Sequence, residues 1–330
     1  MKKINLAFFG SPQFSADFLE KLLTDKHLLR LIEVKLIVTQ PDSPIGRKQV
    51  MTPTPVKQVA LKIKNLDIED SLKTENFKLK ISQVDLALIY FYGQIIPYEF
   101  LSKPKFGFWN IHFSALPKLR GPAPTAFSLV LGEEKTAISL VQTDEKIDHG
   151  DLVNQLSVKI SPVEKRDALA KRLGDLSYDF TVNEIEKLSR GKVKLTPQDH
   201  SQSTYARFPT KEDGFIPLSV LKKSLKNEPL QEFEIPKLLF DYLYKYKLLE
   251  NWKLKIQNSA KIIYDYFRGL YPWPGIWTLL PNGKRLKITE MKLDNLKNLT
   301  NLKLIKVQLE GKNEVDFETF NKAYKVFGKS

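Results

Sequence analysis

Hydrophobic positions in the first part of the chain fall into short continuous runs separated by polar or amphipathic segments. Continuous apolar runs are typical of β-strands that helices cover on both faces. After the first run, Phe14, Phe18, Leu19, Leu22 and Leu23 recur at helical spacing. This alternation predicts a twisted, mostly parallel sheet of the α/β class. The predicted strands lie in residues 3–10, 33–40, 83–93, 108–113 and 137–144, and a helix entered through proline lies in 121–134.

The later part of the chain follows a different pattern. An amphipathic stretch at residues 161–191 predicts one long helix or two, and Gly191 suits its end. Further on, the pattern predicts basic helices, then another helix and a hairpin that turns at Pro281-Asn282-Gly283. A strand and a short final helix complete the chain.

These patterns divide the chain into two domains. We expect a catalytic domain at residues 1–195, a polar linker at 196–216 and a smaller basic domain at 217–330. Within the second domain, the helical stretch at residues 217–258 has the character of an insertion.

The composition is that of a globular protein, with 42% hydrophobic and 27% charged residues. No apolar run approaches the roughly 20 residues that a membrane-spanning helix needs, so no membrane association is expected. The opening stretch MKKINLAFFGSP imitates a signal peptide. Its apolar run is shorter than the roughly 7–15 residues of a signal core, and we therefore interpret it as the first strand.

The chain contains no cysteine, which excludes disulfides, thiol catalysis and cysteine-ligated metals. This composition fits a reducing cytoplasm, where we expect the protein to act. The single glycosylation sequon, Asn298-Leu299-Thr300, is then expected to be a chance match.

Positive charge is concentrated in the later part of the chain. The net charge is +14; residues 1–200 hold 29 basic and 24 acidic side chains, and residues 201–330 hold 23 and 14. The shorter segment therefore carries +9 of the total, and a polyanion such as RNA is a natural partner. A general lysine bias of the proteome would give the same excess.

Polar residues stand at three predicted strand ends, at Tyr92-Gly93, Asn110 and Thr143-Asp144. Ligands of open α/β sheets bind at the carboxyl ends of strands. A Gly10-Ser11-Pro12 turn follows the first strand, but the glycine pattern of a dinucleotide site is absent. The strand ends therefore predict a binding site for a ligand other than a dinucleotide.

Asn110 and His112 flank one strand residue, so their side chains point to the same side. An amide and an imidazole together suit a reaction that develops negative charge on oxygen. The alternative is that His112 has a structural role, with its ring nitrogens hydrogen-bonded inside the core. Asp144 or Asp148, brought close to His112, would favour its charged form, whereas His149 is expected to point away. His112, His149 and Asp148 lack tight ligand spacing, so no metal is expected.

Specific motifs then point to a family. The stretch NIHFSALPKLRGPAP at residues 110–124 resembles the N-x-H-x-S-L-L-P-x-x-R-G signature of the 10-formyltetrahydrofolate-dependent formyltransferases. IDHGDLV at residues 147–153 resembles the D-x-G-D element of that family. Further patches resemble, in order, the branch that acts on initiator tRNA. They are FGSPQFSADFLEKLL, TQPDSPIGRK, TPVK, FYGQIIP, TYARFPTKED and YPWPGIW.

The resemblance implies a Rossmann-like formyltransferase domain followed by a smaller basic domain. That second domain would be a partial β-barrel of the oligonucleotide-binding (OB) type carrying the helical insertion. Formyl transfer from 10-formyltetrahydrofolate to the α-amino group of methionyl initiator tRNA is the implied reaction, and a monomer is expected.

The resemblance also implies roles for individual residues. Asn110 would polarise the formyl carbonyl, His112 would stabilise the oxyanion and assist proton transfer, and Asp148 would keep His112 charged. Two further groups match segments that contact the substrates. The folate segments are Ser114, Ala115, Leu116 and Pro117 with Phe91, Tyr92 and Gly93, and the tRNA-reading loop contains Arg47 and Lys48.

Two alternatives remain open at this point. A formyltransferase of nucleotide-linked amino sugars would share the Asn-His-Asp set but would not need the Arg47 loop or the basic second domain. A non-catalytic RNA-binding protein on a degenerate scaffold would not need the Asn-His-Asp set. The chain departs from the family signature at Phe113, Ala115 and His149.

Overall fold

A computed structural model describes residues 2–294 and 301–328 of the chain. These residues form two compact units that interleave along the sequence. Unit 1 comprises residues 1–120, 137–158 and 171–203, and unit 2 comprises residues 121–136, 159–170 and 204–330. The division expected from the sequence, with a boundary near residue 195, stays a prediction. The sequon at residues 298–300 lies outside the described residues.

A seven-stranded sheet forms the centre of unit 1, in the order β5-β2-β1-β6-β7-β8-β9. The pairs formed by β1, β2, β5, β6 and β7 are parallel, whereas β8 runs antiparallel to β7. The prediction of a mostly parallel sheet is therefore confirmed. The strands are β1 Ile4–Gly10, β2 Ile32–Val38, β3 Ser43–Ile45, β4 Val50–Thr52, β5 Asp67–Glu69, β6 Leu86–Tyr90, β7 Phe108–His112, β8 Lys135–Gln142 and β9 Leu152–Lys159.

The central strands β1, β6 and β7 are buried along almost their whole length, which is why each reads as a continuous apolar run. Three segments were not predicted from the pattern. Strand β5 has only three residues, too few for a repeat to show. Residues 43–52 form the β3-β4 hairpin, whose mostly exposed side chains give no periodic signal. Strand β9 has three consecutive exposed residues at its middle, which hides its alternation.

The helices follow the strands in the order expected of an α/β fold. Helix α1 buries Phe18, Leu19 and Leu22, whereas Phe14 is exposed. The long helix predicted before Gly191 is a single helix, α6, and Gly191 follows it with φ +66°. The helices up to residue 189 are α1 Gln13–Thr24, α2 Pro55–Ala60, α3 Glu75–Ile81, α4 Tyr98–Leu101, α5 Pro124–Val130 and α6 Arg166–Ser189, and of these α5 belongs to unit 2.

Unit 2 combines helices with a four-stranded antiparallel sheet. The hairpin predicted at residues 281–283 connects the first two strands, with Gly283 at φ +78°. The helical character predicted for residues 217–258 is confirmed. The remaining elements are α7 Leu218–Leu225, α8 Lys237–Lys245, α9 Leu249–Trp252, α10 Ser259–Leu270, β10 Ile276–Leu279, β11 Arg285–Leu293, β12 Leu302–Leu309, β13 Glu314–Asp316 and α11 Phe317–Tyr324.

Helix α10 is the centre of unit 2, and eleven of its twelve residues are buried. It packs against α5, where a side chain at Gly269 would meet the Ala126 carbonyl oxygen at 2.7 Å. None of the helices in residues 2–294 and 301–328 combines the length and apolarity that a bilayer span requires.

Candidate active site

The carboxyl end of β7 presents Asn110 and His112 to one carboxylate, that of Asp148. The Asn110 Nδ2 group donates a hydrogen bond to Asp148 Oδ1 at 3.0 Å. His112 Nδ1 lies 3.4 Å from Asp148 Oδ2. Both partners of this ion pair are buried, with side-chain exposures of 6% and 7%. The structure therefore brings together the three residues that the sequence analysis singled out for catalysis.

The second ring nitrogen of His112 has a different partner. His112 Nε2 lies 3.0 Å from the carbonyl oxygen of Leu119. A carbonyl oxygen only accepts hydrogen bonds, so Nε2 carries a proton in this arrangement. In the neutral ring, Nδ1 is then free to accept a proton, and in the charged ring it donates toward Asp148. Nδ1 is therefore the nitrogen that can take part in chemistry.

The loop between β8 and β9 places Asp148. Asp148 adopts a left-handed backbone conformation with φ +50°, which is unfavourable for a residue other than glycine. A side chain at Gly150 would come within 1.9 Å of the Gln142 carbonyl oxygen, so only glycine fits there. Asp144, the other carboxylate considered from the sequence, instead contacts His149 Nδ1 at 2.6 Å.

Two residues that sequence reasoning did not assign to the site hold this loop. Gln198 donates its side-chain amide to the carbonyl oxygens of Asp148 and Gly150, at 3.0 and 2.6 Å. Arg120 Nη2 donates to Gln198 Oε1 at 2.7 Å. Gln198 stands in a polar stretch interpreted as a linker, where nothing local marks it. Arg120 belongs to the family signature, which was the only available signal.

Arg120 also reaches a pair of stacked histidines. Its Nη2 atom lies 2.8 Å from His200 Nδ1, and the His200 ring stacks on His149 at a centroid distance of 3.9 Å. Desolvation, His149 and Arg120 together hold the pKa of His200 below its usual value. Burial likewise lowers the pKa of Arg120, although Asp148 and Asp144 oppose the shift.

The folate segment predicted at residues 114–117 forms a loop beyond β7. Ser114 is fully buried and donates to the Lys118 carbonyl oxygen at 2.7 Å, and its own carbonyl accepts from Ser139 at 2.6 Å. The Leu116-Pro117 peptide bond is cis. Ala115 is exposed. The segment therefore presents Ala115 to solvent from a backbone that buried hydroxyl groups hold in place.

The second folate segment divides into an exposed and a buried part. Phe91 has φ +52°, is 44% exposed and lies against Phe113 with ring centroids 5.5 Å apart. The Tyr92 side chain is buried in the core, and its carbonyl oxygen accepts hydrogen bonds from Ser11 Oγ and Gln40 Nε2 at 3.1 and 2.9 Å. A side chain at Gly93 would meet Gln40 Nε2 at 2.6 Å. Of the three residues, Phe91 is the one whose side chain is available to a ligand.

Arg47 and Lys48 lie in the turn at the tip of the β3-β4 hairpin. Both are exposed. Their turn is set by Gly46 and Gln49, which have φ +73° and +49°. The strands beside it expose Ile45, Val50 and Met51. The hairpin therefore presents two cations and an apolar surface.

The described parts of the chain contain no group of three histidine or acidic side chains placed to hold a metal ion. The polar side chains around Asp148 are instead engaged in hydrogen bonds and ion pairs with one another.

Two protein-family models match the chain. The formyl transferase family model matches residues 2–185, and the model of the formyl transferase C-terminal domain matches residues 250–301. The first match includes Asn110, His112 and Asp148.

Solved structures with the same fold include two N-formyltransferases. A 4-N formyltransferase from Francisella tularensis covers 86% of this chain and 95% of its own, with a TM-score of 0.57 and 16% identity. An N-formyltransferase from Helicobacter canadensis, in complex with folinic acid and dTDP-3-aminofucose, covers 89% and 90%, with a TM-score of 0.58 and 14% identity. At such identities the likeness concerns the fold alone.

Curated relatives are closer in sequence. A methionyl-tRNA formyltransferase of Caldicellulosiruptor saccharolyticus is 33% identical over 98% of this chain and 98% of its own length. One of Thermotoga maritima is 36% identical over 68% of this chain and 71% of its own. With a family model across more than half of its length and a relative matched from end to end, the chain belongs to the formyl transferase family, on the branch of the methionyl-tRNA formyltransferases.

Proposed function

We propose that the protein transfers the formyl group of 10-formyltetrahydrofolate to the α-amino group of methionyl initiator tRNA. The observation that carries this proposal is the convergence of Asn110 and His112 on Asp148 at the end of a rigid buried strand. An amide donor and an imidazole held in fixed positions suit acyl transfer to an amine. The end-to-end similarity to methionyl-tRNA formyltransferases supports the choice of substrates.

The amine of the esterified methionine attacks the formyl carbon, and the carbonyl oxygen takes the negative charge. Asn110 Nδ2 and the charged ring of His112 stabilise that oxygen. The tetrahedral intermediate then collapses, the bond to N10 of the folate breaks, and N10 gains a proton as the amine loses one. Asp148 stabilises the charged form of His112 and takes part in relaying the proton through water. No protein nucleophile is required.

His112 Nδ1 is the nitrogen to which we assign this chemistry, because Nε2 is engaged with the Leu119 carbonyl oxygen. That bond fixes the ring plane before the substrates arrive, so the donor needs little reorganisation during the reaction. The distance of 3.4 Å between Nδ1 and Asp148 Oδ2 is long for a hydrogen bond, so this carboxylate holds the Nδ1 proton only weakly and the proton can be shared with a formyl oxygen placed near the ring plane.

For the formyl donor, we propose the loop at Ser114, Ala115, Leu116 and Pro117 together with residues 91–93. The exposed ring of Phe91 offers an aromatic surface to the flat pterin. The Tyr92 side chain lies in the core, so its contribution would come through the backbone. The backbone of Gly93 lies against the Gln40 side chain, which a side chain at this position would meet at 2.6 Å, so Gly93 would contribute through its backbone as well.

For the tRNA, we propose that Arg47 and Lys48 contact the acceptor end and that the basic domain at residues 217–330 contributes further phosphate contacts. The β3-β4 hairpin presents both cations to solvent. On α8, Tyr244 is 69% exposed and stacks against Phe240, and the exposed Lys245 and Lys247 follow it. Aromatic rings beside cations are typical of nucleic-acid-binding surfaces.

A transfer assay with two acceptors tests the proposal. Purified protein is given 10-formyltetrahydrofolate and either methionyl initiator tRNA or a nucleotide-linked amino sugar. We expect transfer to the tRNA, reduced about 10²-fold or more in His112→Ala, which is the scale of a lost oxyanion or acid–base contribution. His27→Ala is the matched control, since His27 is an exposed histidine paired with Glu186.

The outcomes separate the three readings of the sequence. Transfer to the sugar alone would retain the chemistry of Asn110 and His112 and overturn the substrate. RNA binding without transfer to either amine would favour a degenerate scaffold. An unchanged rate in His112→Ala would remove the assigned role of that residue.

A further inference from the structure

The backbone around Asp148 is held by a side chain fifty residues further along the chain. The Gln198 amide nitrogen donates to the Asp148 carbonyl oxygen at 3.0 Å and to the Gly150 carbonyl oxygen at 2.6 Å. Both of its protons are therefore used, and both acceptors belong to the loop that carries the catalytic carboxylate. Because Asp148 has φ +50°, this backbone conformation depends on contacts with its surroundings.

The amide oxygen of Gln198 is held as well. Its Oε1 atom accepts a hydrogen bond from Arg120 Nη2 at 2.7 Å, and Gln198 is 6% exposed. The adjoining segment is anchored to β9, because Thr196 and Leu152 exchange backbone hydrogen bonds of 2.8 and 2.9 Å. The amide thus has all its hydrogen-bonding groups satisfied in a single orientation.

Arg120 connects this amide to the outer edge of the loop. The same Nη2 atom contacts His200, which stacks on His149, and His149 in turn contacts Asp144 at the start of the loop. The loop from Asp144 to Gly150 is therefore restrained at both ends and at Asp148 itself. These restraints come from side chains that do not touch Asn110 or His112 in any described contact.

We propose that Gln198, supported by Arg120, is a positioning residue that sets the carboxylate of Asp148 against Asn110 and His112. This inference rests on the proposed function for its kinetic readout. Gln198 acts through Asp148 and not on the substrates, so its loss lowers kcat and leaves the KM of both substrates unchanged. A displacement of about 1 Å is enough to reduce a rate by about 10²-fold.

Gln198→Glu is the decisive variant, because it keeps the shape of the side chain and replaces its donor group by an oxygen that repels both loop carbonyls. We expect kcat to fall about 10- to 100-fold, because a shifted Asp148 carboxylate would misalign Asn110 and His112 with the formyl group. Gln198→Met, which is neutral and has no donor, keeps the test valid if the charge of the first variant prevents folding. Gln58→Glu is the matched control, since the exposed Gln58 also donates to one backbone carbonyl, that of Pro53 at 3.0 Å.

A double-mutant cycle distinguishes positioning from a general structural effect. If Gln198 works only through Asp148, Gln198→Glu causes no further loss of kcat in an Asp148→Ala background. Losses that multiply would overturn the proposal, as would a Gln198→Glu enzyme with unchanged kcat. A rise in the KM of either substrate at constant kcat would also overturn it.

The test remains informative if the proposed substrate is wrong. The cycle is then run with whichever amine the wild-type protein formylates. If it formylates none, a crystal structure of Gln198→Glu decides the point. Asp148 displaced from His112 Nδ1 would support the positioning role, and an unmoved carboxylate would overturn it.

Discussion

His112 Nδ1 and Asp148 Oδ2 lie 3.4 Å apart in a buried ion pair, and the other oxygen of the same carboxylate accepts a hydrogen bond from Asn110. One carboxylate thus orients both groups that would face a developing oxyanion. Asn110 and His112 come from a strand and Asp148 from a loop. The precision of the arrangement therefore depends on the position of that loop.

Asn110→Ala is expected to lower kcat by about 10²- to 10³-fold, the cost of removing one oxyanion donor. The fall should appear in kcat and in kcat/KM alike, because the bond to the oxygen strengthens as its charge develops. Steady-state kinetics with both substrates measure it. Asn76→Ala is the matched control, since Asn76 also donates to a carboxylate, that of Glu69. Equal rates for Asn110→Ala and Asn76→Ala would contradict the role.

Gly150→Ala is expected to abolish most of the activity while the protein remains folded. The added carbon would lie 1.9 Å from the Gln142 carbonyl oxygen, so the loop carrying Asp148 must move. Transfer rate and thermal unfolding are measured on the same sample. Gly191→Ala serves as a control, because Gly191 has φ +66° but nothing within 4 Å of an added carbon. A fully active Gly150→Ala enzyme would mean that the loop position is unimportant.

Reversing charge at the hairpin tip with Arg47→Glu and Lys48→Glu is expected to raise the KM for tRNA and to leave folate affinity unchanged. Each lost phosphate contact should also reduce the slope of log affinity against log salt concentration by about 1. Binding titrations at several salt concentrations provide the measurement. Lys26→Glu makes the same charge change at another exposed position of unit 1. An equal effect of that variant would indicate a non-specific field.

In unit 2, charge reversal at Lys245 and Lys247 is expected to weaken tRNA binding without loss of stability, because both are exposed. Lys223 is a poor choice for the same experiment. Its Nζ atom contacts both carboxylate oxygens of Glu234, at 2.6 and 2.8 Å. Lys223→Glu should therefore lower the unfolding temperature, which makes it a useful contrast. Unchanged tRNA affinity in the variant that carries both Lys245→Glu and Lys247→Glu would show that α8 is not part of the tRNA-binding surface.

Low pH is expected to reduce the free energy of unfolding of unit 2, because it protonates the Asp213 carboxylate. Burial opposes ionisation of this carboxyl, yet bonds from Arg207 and Thr210 overcome it and hold its pKa below the usual value of 3.8. A carboxyl with a lowered folded-state pKa contributes stability that is present above its unfolded-state pKa and is lost as pH falls through the folded-state value. The free energy of unfolding should therefore decline below about pH 4.

Asp213→Asn tests this assignment. The variant is expected to lose about 1.5–3 kcal/mol at neutral pH, the value of a hydrogen bond to a charged group, and to show a weaker decline in acid. Denaturant unfolding at a series of pH values measures both. Glu33→Gln is the control, because the Glu33 carboxyl also has a lowered pKa, from Lys35, but lies on the surface. A pH profile unchanged by Asp213→Asn would assign the acid sensitivity elsewhere.

Sequence reasoning located Asn110 and His112 from a local rule, the alternation of side chains along a strand. The residues themselves left Asp144 and Asp148 as alternatives for the partner, since both follow the same strand and a loop has no period, and only the family resemblance selected Asp148. Sequence reasoning missed Gln198 altogether. That residue acts across fifty positions of sequence, and no pattern within a polar stretch reports a contact at such a distance.

The sequence by itself determined the principal strands and helices, the mostly parallel sheet and the end of the sheet at which polar residues collect. These follow from short-range periodicity, because burial on one face or on both imposes a repeat that can be read directly. The tertiary structure decided which carboxylate meets His112, which ring nitrogen stays available, and what holds the Asp148 loop. Those choices depend on the packing of segments that are distant in sequence. The contacts that stabilise this packing leave no pattern in the sequence of either segment.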